Sequence, residues 1–221
     1  MHEIPLGKLD IQKTALVLID FQRRHVDPEI AYHPVSKEEA DKVVSNAKKM
    51  LHFARQKGIP VIFVETYSRL KNKWDIVDAK NPYWEAQVGR VVPGSDFVRR
   101  LDRNVKGSVY AEIMPELEPN NDDIRVLKKR YSGFYGTDME IVLRGLGVNT
   151  LLIAGVNTNN CVLATSFDAF SRDYRIIVIE DCCGSMNGRE MHEFAIKEIK
   201  AALGWVYTLD ETVEILNMNN E

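Results

Sequence analysis

The stretch from Thr150 to Asp168, TLLIAGVNTNNCVLATSFD, places a short apolar run, a glycine, a polar turn and a cysteine in that order. Leu151 to Ala154 has the length of a buried strand, Gly155 ends it, and Asn157 to Asn160 form a polar turn. Beyond the turn, Cys161, Val162, Thr165, Asp168 and Ala169 recur at helical spacing. Strand, turn and helix in succession are the unit of a parallel α/β sheet. Cys161 falls at their junction, where unpaired N–H groups and the helix dipole favour a thiolate. Cysteine is also among the most buried residue types, so this residue by itself leaves a core role open.

The same alternation extends in both directions. Thr14 to Ile19, TALVLI, is a continuous apolar run that suits a strand covered on both faces, and it ends at Asp20-Phe21-Gln22. From Ser36, paired with Glu39 as a capping box, a stripe of Ala40, Val43, Val44, Ala47, Met50, Leu51 and Ala54 predicts a helix closed by Gly58. Pro60 to Glu65 is a second strand, with Thr66, Tyr67 and Ser68 at its end. Asp123 to Leu127 is a third, leading into Lys128, Lys129 and Arg130. Thr137 caps a helix that runs to Leu146 and stops at Gly147. After the opening stretch come a strand from Arg175 to Ile179 ending at Glu180-Asp181, a helix over about 189–203, a strand at Trp205 to Tyr207 and a helix near 210–216. The sum is a three-layer α/β/α fold, a mainly parallel sheet with helices on both faces, expected to form one domain over 1–221. Residues 71–119 are irregular. Trp74, Tyr83 and Trp84 lie there among charged residues with a turn at Pro93-Gly94, as in a functional excursion or interface element.

Composition narrows the function classes. The chain of 221 residues is 45% hydrophobic and 28% charged, with a net charge of −3, so no basic surface calls for nucleic acid. No apolar run spans a membrane, and MHEIPLGKLD lacks the core of a signal peptide, so a cytoplasmic protein is expected. The three cysteines, Cys161, Cys182 and Cys183, form neither a disulfide framework nor a zinc pattern. His25 and His33 lack nearby carboxylates at ligand spacing, so no metal is expected. A first-strand G-x-G-x-x-G and a P-loop are both absent, which places nucleotide binding last.

Parallel strands share a direction, so Asp20, Lys128 and Cys161, each at a strand's C-terminal end, can meet on one edge of the sheet. A carboxylate can take a thiol's proton, and an ammonium nearby steadies both anions and lowers the thiol's pKa. The turn after Gly155 can supply oxyanion-hole N–H groups, and the set describes acyl transfer from an amide. Asp20 as a mere turn cap, and an inert Cys161 in a scaffold or binding protein of the same fold, are the competing readings. Asn157, Asn159 and Asn160 either complement a urea-like group or simply tolerate turn geometry.

The motifs ALVLIDFQ (15–22), VLKKRYSGFYGTDMEIVLRGLGV (126–148) and LLIAGVNTNNCVLATSFDAF (151–170) resemble, in order and spacing, the isochorismatase-like cysteine hydrolases, over about residues 12–210. The segment from Lys106 to Gly136, the Cys161 region and Gly204-Trp205-Val206 most resemble the branch of ureidoacrylate amidohydrolase, biuret hydrolase and N-carbamoylsarcosine amidohydrolase. The resemblance implies Asp20 as general base, Cys161 as nucleophile and Lys128 as the catalytic lysine, six residues before Phe134, with Lys129 on the surface. It further implies a cis peptide between Val156 and Asn157, turning the Asn157 N–H toward that of Cys161 as the oxyanion hole. Gln22, Thr66, Tyr131, Asn157 and Asn160 become candidate substrate contacts, and Arg23, Arg24, Arg69 or Lys71 candidates for a substrate carboxylate. A small amide or ureide substrate, no cofactor and a homo-oligomer, dimer or tetramer, complete the expectation. Three departures bear on substrate. ETYSRL (65–70) stands where nicotinamidases hold a metal, Thr66 replaces the branch's asparagine, and Asn157 replaces a small apolar turn residue; Cys161 itself speaks against the vinyl-ether cleavage of isochorismatases.

Overall fold

Each residue of strand β1 (Thr14–Ile19) is buried, and its side chains divide alternately between two cores. Leu16 and Leu18 join one, while Ala15, Val17 and Ile19 join the other. A strand buried on both faces needs no polar alternation, which is why its sequence is uniformly apolar. The computed structural model describes residues 5–31, 36–69, 81–91, 105 and 107–218. Within them five further strands follow: β2 (Val61–Thr66), β3 (Ile124–Lys128), β4 (Thr150–Val156), β5 (Arg175–Gly184) and β6 (Trp205–Tyr207). All pair in parallel in the order β3-β2-β1-β4-β5-β6.

Among the described residues seven α-helices accompany this sheet: α1 (Arg23–Val26), α2 (Lys37–Gln56), α3 (Pro82–Glu85), α4 (Met139–Gly145), α5 (Leu163–Phe170), α6 (Arg189–Ala202) and α7 (Leu209–Met218). α2 and α7 contribute to the core on one face, and α4, α5 and α6 to that on the other. α2 starts where the Ser36 hydroxyl accepts the Glu39 N–H and buries the predicted stripe, including Met50 and Leu51. Burying each of those two side chains contributes roughly 1.5–3 kcal/mol. The chain leaves α2 through Gly58 at φ +69°, a conformation that glycine adopts without a Cβ clash.

The strand order reverses between β1 and β4, so the connections after these two strands leave in opposite directions and open a crevice at their C-terminal ends. Gly155 lies at this point. A Cβ there would sit 2.3 Å from the Ile19 carbonyl oxygen, so β1 and β4 meet this closely only because residue 155 has no side chain. Two boundaries differ from the sequence reading for one reason. β4 continues past Gly155 to Val156 and β5 past Ile179 to Gly184, because a register shift between Ile153 and Gly155 pairs Gly155 with Cys183. Glu180 and Asp181 are thus inside a bulged strand, and Asp181 accepts the Leu209 N–H at the start of α7 (2.8 Å). The excursion at 71–119 contains α3 and 3-10 turns at Val109–Ala111 and Pro115–Leu117, whereas Trp74, Pro93 and Gly94 lie outside the described residues.

Candidate active site

Strand ends deliver the carboxylate and the ammonium. The chain turns sharply out of β1 at Asp20, whose φ is +54°, a region an aspartate tolerates better than most residues. Its N–H remains bonded to the Val64 carbonyl of β2 (2.8 Å), so the side chain is fixed at the rim of the sheet. Lys128 ends β3 opposite Thr66 in the register. Adjacent strands lie about 4.8 Å apart, so β3 is roughly 10 Å from β1, and a long side chain is required to cross β2. Lys128 does so: its Nζ lies 2.6 Å from Asp20 Oδ2 and 3.3 Å from the Cys161 sulfur, and it also donates to the Arg130 carbonyl (3.1 Å).

The thiol arrives from the other side of the switch point. After β4 the chain makes a π-helical turn, Thr158–Val162, in which the Val162 N–H reaches the Asn157 carbonyl (3.2 Å). Such wide turns recur at functional sites because they insert one extra residue into a helix. Cys161 therefore lies inside a turn and not at an open helix start, as the sequence suggests. The peptide bond between Val156 and Asn157 is cis.

Asp20, Lys128 and Cys161 are all buried, at 0%, 1% and 6% exposure, so their mutual charges are weakly screened. Burial tends to raise the Asp20 pKa, but the Lys128 ammonium, His25 and a hydrogen bond from Cys161 together hold it below its ordinary 3.8. Burial tends to lower that of Lys128, and Asp20 and Cys161 more than offset this, leaving it above 10.5. The thiol behaves opposite to the expectation from a helix start. Burial and the Asp20 carboxylate push it up to about 12 despite Lys128. The resting arrangement is a carboxylate, an ammonium and a protonated thiol, so the carboxylate stands ready to receive the thiol's proton.

The expected substrate contacts are mostly committed to the protein itself. Gln22 is fully buried; its Nε2 donates to the carbonyls of Ala111 (2.8 Å) and Thr66 (3.2 Å), and its Oε1 accepts the Thr66 N–H (2.8 Å). The Thr66 hydroxyl donates to Asp20 Oδ1 (2.8 Å). Asn157 Oδ1 accepts the Met186 N–H (2.9 Å), and Asn160 donates to Asn187 (3.3 Å), as does Asn159, which also accepts from the Ser185 hydroxyl (2.7 Å). These amides tie the turn to residues 185–187. Tyr131 is more open: its ring meets Trp84 edge-on with centroids 5.3 Å apart, its hydroxyl accepts from Trp84 Nε1 (3.2 Å), and the Arg130 guanidinium lies 5.5 Å from the Trp84 ring centroid.

Other expected positions resolve similarly. Arg23 pairs with Asp27 (2.8 Å) and approaches Glu112 (3.8 Å), which opposes a role with a substrate carboxylate. Lys129 is half-buried and donates to the Tyr67 carbonyl instead of lying free on the surface. Lys71 and His33 lie outside the described residues. His25 has its Nε2 4.0 Å from Asp20 Oδ1, a proximity that its place in the sequence does not signal. Among the described residues no group of three or more His, Cys, Asp and Glu side chains is arranged to hold a metal. Nor is any of their helices long and apolar enough to cross a membrane.

Fold and site together define a class of parallel α/β proteins that gather a carboxylate, an ammonium and a thiol at the topological switch point. A family model described as the isochorismatase domain matches residues 14–211, and the chain belongs to that family. Ureidoacrylate amidohydrolase RutB of Acinetobacter baylyi is 31% identical over 225 residues, covering 95% of this chain and 86% of its own. The protein of the same name from Pantoea ananatis is also 31% identical, over 95% and 84%. A cysteine hydrolase from Pseudomonas syringae shares the fold with a TM-score of 0.80 at 22% identity, covering 99% of this chain and 100% of that one. N-carbamoylsarcosine amidase from Thermoplasma acidophilum superposes with a TM-score of 0.65 at 26% identity, over 90% and 97%. The chain is a hydrolase.

Proposed function

We propose that this hydrolase is a cysteine-dependent amidohydrolase that cleaves a C–N bond of a small linear amide, a ureide or carbamoyl compound of the ureidoacrylate, biuret or N-carbamoyl type, and releases ammonia. The observation that carries the reading is the position of Lys128 Nζ, 2.6 Å from Asp20 and 3.3 Å from the Cys161 sulfur in a buried site. The names of the relatives, one acting on ureidoacrylate and one on N-carbamoylsarcosine, support the substrate class.

In this mechanism the thiol proton passes to Asp20 as the sulfur attacks the carbonyl carbon. Transfer on attack suits a thiol that burial holds protonated and a carboxylate that Lys128 holds ionised. The carbonyl oxygen becomes an oxyanion, received by the N–H groups of Asn157 and Cys161. Protonated Asp20 gives its proton to the leaving nitrogen, the C–N bond breaks, and a thioester or thiocarbamate remains. Water then adds to that carbon while Asp20 takes its proton; the C–S bond breaks and the proton returns to the sulfur. Lys128 stays charged throughout and balances whichever anion is present. The chemistry places no demand on a metal or an organic cofactor.

Ammonia release from ureidoacrylate, biuret, N-carbamoylsarcosine and simple aliphatic amides, wild type beside Cys161→Ser, tests this. Turnover of one ureide that disappears in the variant is the expected result. A variant that keeps substantial turnover would sink the cysteine mechanism. Silence of the wild type across the panel would overturn the ureide and carbamoyl substrate class and move the search to other acyl groups.

A further inference from the structure

Lys128 and Cys161 approach within 3.3 Å although they belong to segments separated by two strands of the sheet. Lys128 ends β3, and the loop that follows it runs through Gly133 toward α4; Cys161 sits in the turn between β4 and α5. Sheet register fixes the Lys128 backbone but not that of Cys161, which lies beyond the end of its strand. Some other tie has to hold the two segments together.

Thr165 supplies one. It is fully buried on α5, its hydroxyl donates to the Cys161 carbonyl (2.6 Å), and the same oxygen accepts the Gly133 N–H (2.9 Å). One hydroxyl thus bonds the backbone of the nucleophile turn and the backbone of the lysine loop. The loop lies close against it: a Cβ on Gly133 would stand 3.5 Å from Thr165 Oγ1 and Cγ2 and only 3.3 Å from Val64 Cγ1. A turn further along α5, the Ser132 hydroxyl donates to Asp168 and accepts the Phe134 N–H (3.1 Å), while Arg172 pairs with Asp168 (3.0 Å). That second tie holds the outer edge of the loop and touches no part of the turn. Thr165 is where loop and nucleophile are joined through a single side chain.

We propose that Thr165 is a positioning residue that sets the distance between the Cys161 sulfur and the Lys128 ammonium, an inference that rests on the catalytic reading of those two residues. Removing the hydroxyl leaves a buried N–H and a buried carbonyl without this shared partner. The turn then relaxes away from the loop, and the ammonium's attraction for a thiolate falls with distance.

Three variants test it: Thr165→Val keeps the shape without the hydroxyl, Thr165→Ser keeps the hydroxyl without the methyl, and Thr165→Ala has neither. Alkylation of Cys161 by iodoacetamide at about pH 8.5, followed on the Cys161 peptide, needs no substrate. The expected result is a rate about tenfold or more below wild type for Val and Ala, with Ser within about threefold. On a ureide that the wild type turns over, kcat falls by a similar factor while KM moves less than about threefold. If Thr165→Val does not fold, Ser and Ala, which differ only in the hydroxyl, carry the comparison. Alkylation of Val and Ala at or above the wild-type rate, or of Ser as slowly as Ala, overturns the proposal. A wild type inactive on all ureides, or an active Cys161→Ser, counts instead against the hydrolase mechanism and leaves the alkylation series legible.

Discussion

Asp20, Thr66 and Lys128 stand at the ends of three adjacent strands, whereas Cys161 stands in a turn that no strand register reaches. The first group inherits its spacing from the sheet: Thr66 is opposite Lys128 in the ladder, and the Asp20 N–H is bonded to β2. The turn is instead held by side chains, through Met186 N–H to Asn157, Ser185 to Asn159, Asn160 to Asn187, Thr158 with His192 and Thr165 to the Cys161 carbonyl. Many backbone bonds acting together make a cooperative frame, while separate side-chain bonds can be lost one at a time. Damage on the strand side should therefore be severe, and damage on the turn side graded.

Lys128→Met is the largest expected effect. It strands a buried carboxylate, so turnover should fall on the order of 1000-fold and neutral-pH stability by about 3–5 kcal/mol. The pH dependence carries the sign. Asp20 is held below 3.8, so its contribution is full above that value and lost as pH falls through the folded-state pKa. Lys128 is held above 10.5, so its contribution is full below that value and lost as pH rises through the folded-state pKa. Thermal unfolding of the wild type should be insensitive to this pair between 3.8 and 10.5. In the variant, burial dominates Asp20 and the stability maximum moves toward acid; equal acid and neutral stability would break the strand side of the comparison. Lys129→Ala provides the control, with far less effect on turnover.

Gln22→Ala should come next and act mainly on folding. Its amide serves three backbone groups from two segments, and leaving a buried polar group unpartnered costs about 1–3 kcal/mol. Denaturant unfolding should detect that loss. A rise in KM with unchanged stability would instead return Gln22 to substrate contact. Asn187→Ala is the smallest of the three. It removes two of several ties on the turn, those from Asn159 and Asn160, and a drop in kcat of about two- to tenfold with little change in unfolding midpoint is expected. A loss as large as that of Lys128→Met would show that the turn is as cooperative as the sheet.

Much of the frame was legible because burial on both faces leaves a plain record. TALVLI coincides with β1, the Ser36 cap with the start of α2, and the stripe from Ala40 to Ala54 with its buried face. Part of what escaped the sequence follows from one bulge. Because RIIVI reads as a strand that ends at Ile179, the sequence does not mark Ser185 and Asn187 as strand-end residues beside the nucleophile turn, although they follow the true end at Gly184. Thr165 carried a faint signal, four residues after Cys161, but its partner Gly133 is distant in sequence and gives no pattern.

By itself the sequence determined the alternating α/β order, the strands that carry Asp20 and Lys128 at their ends, and the turn that carries Cys161, because periodicity and turn chemistry are local properties. The tertiary structure decided how those groups behave. Burial and a neighbouring carboxylate outweigh the ammonium and keep the thiol protonated, and amides that look free in sequence are bonded to residues 185–187. Desolvation and hydrogen-bond partnership depend on distances between remote segments, and those distances exist only once the strands have paired.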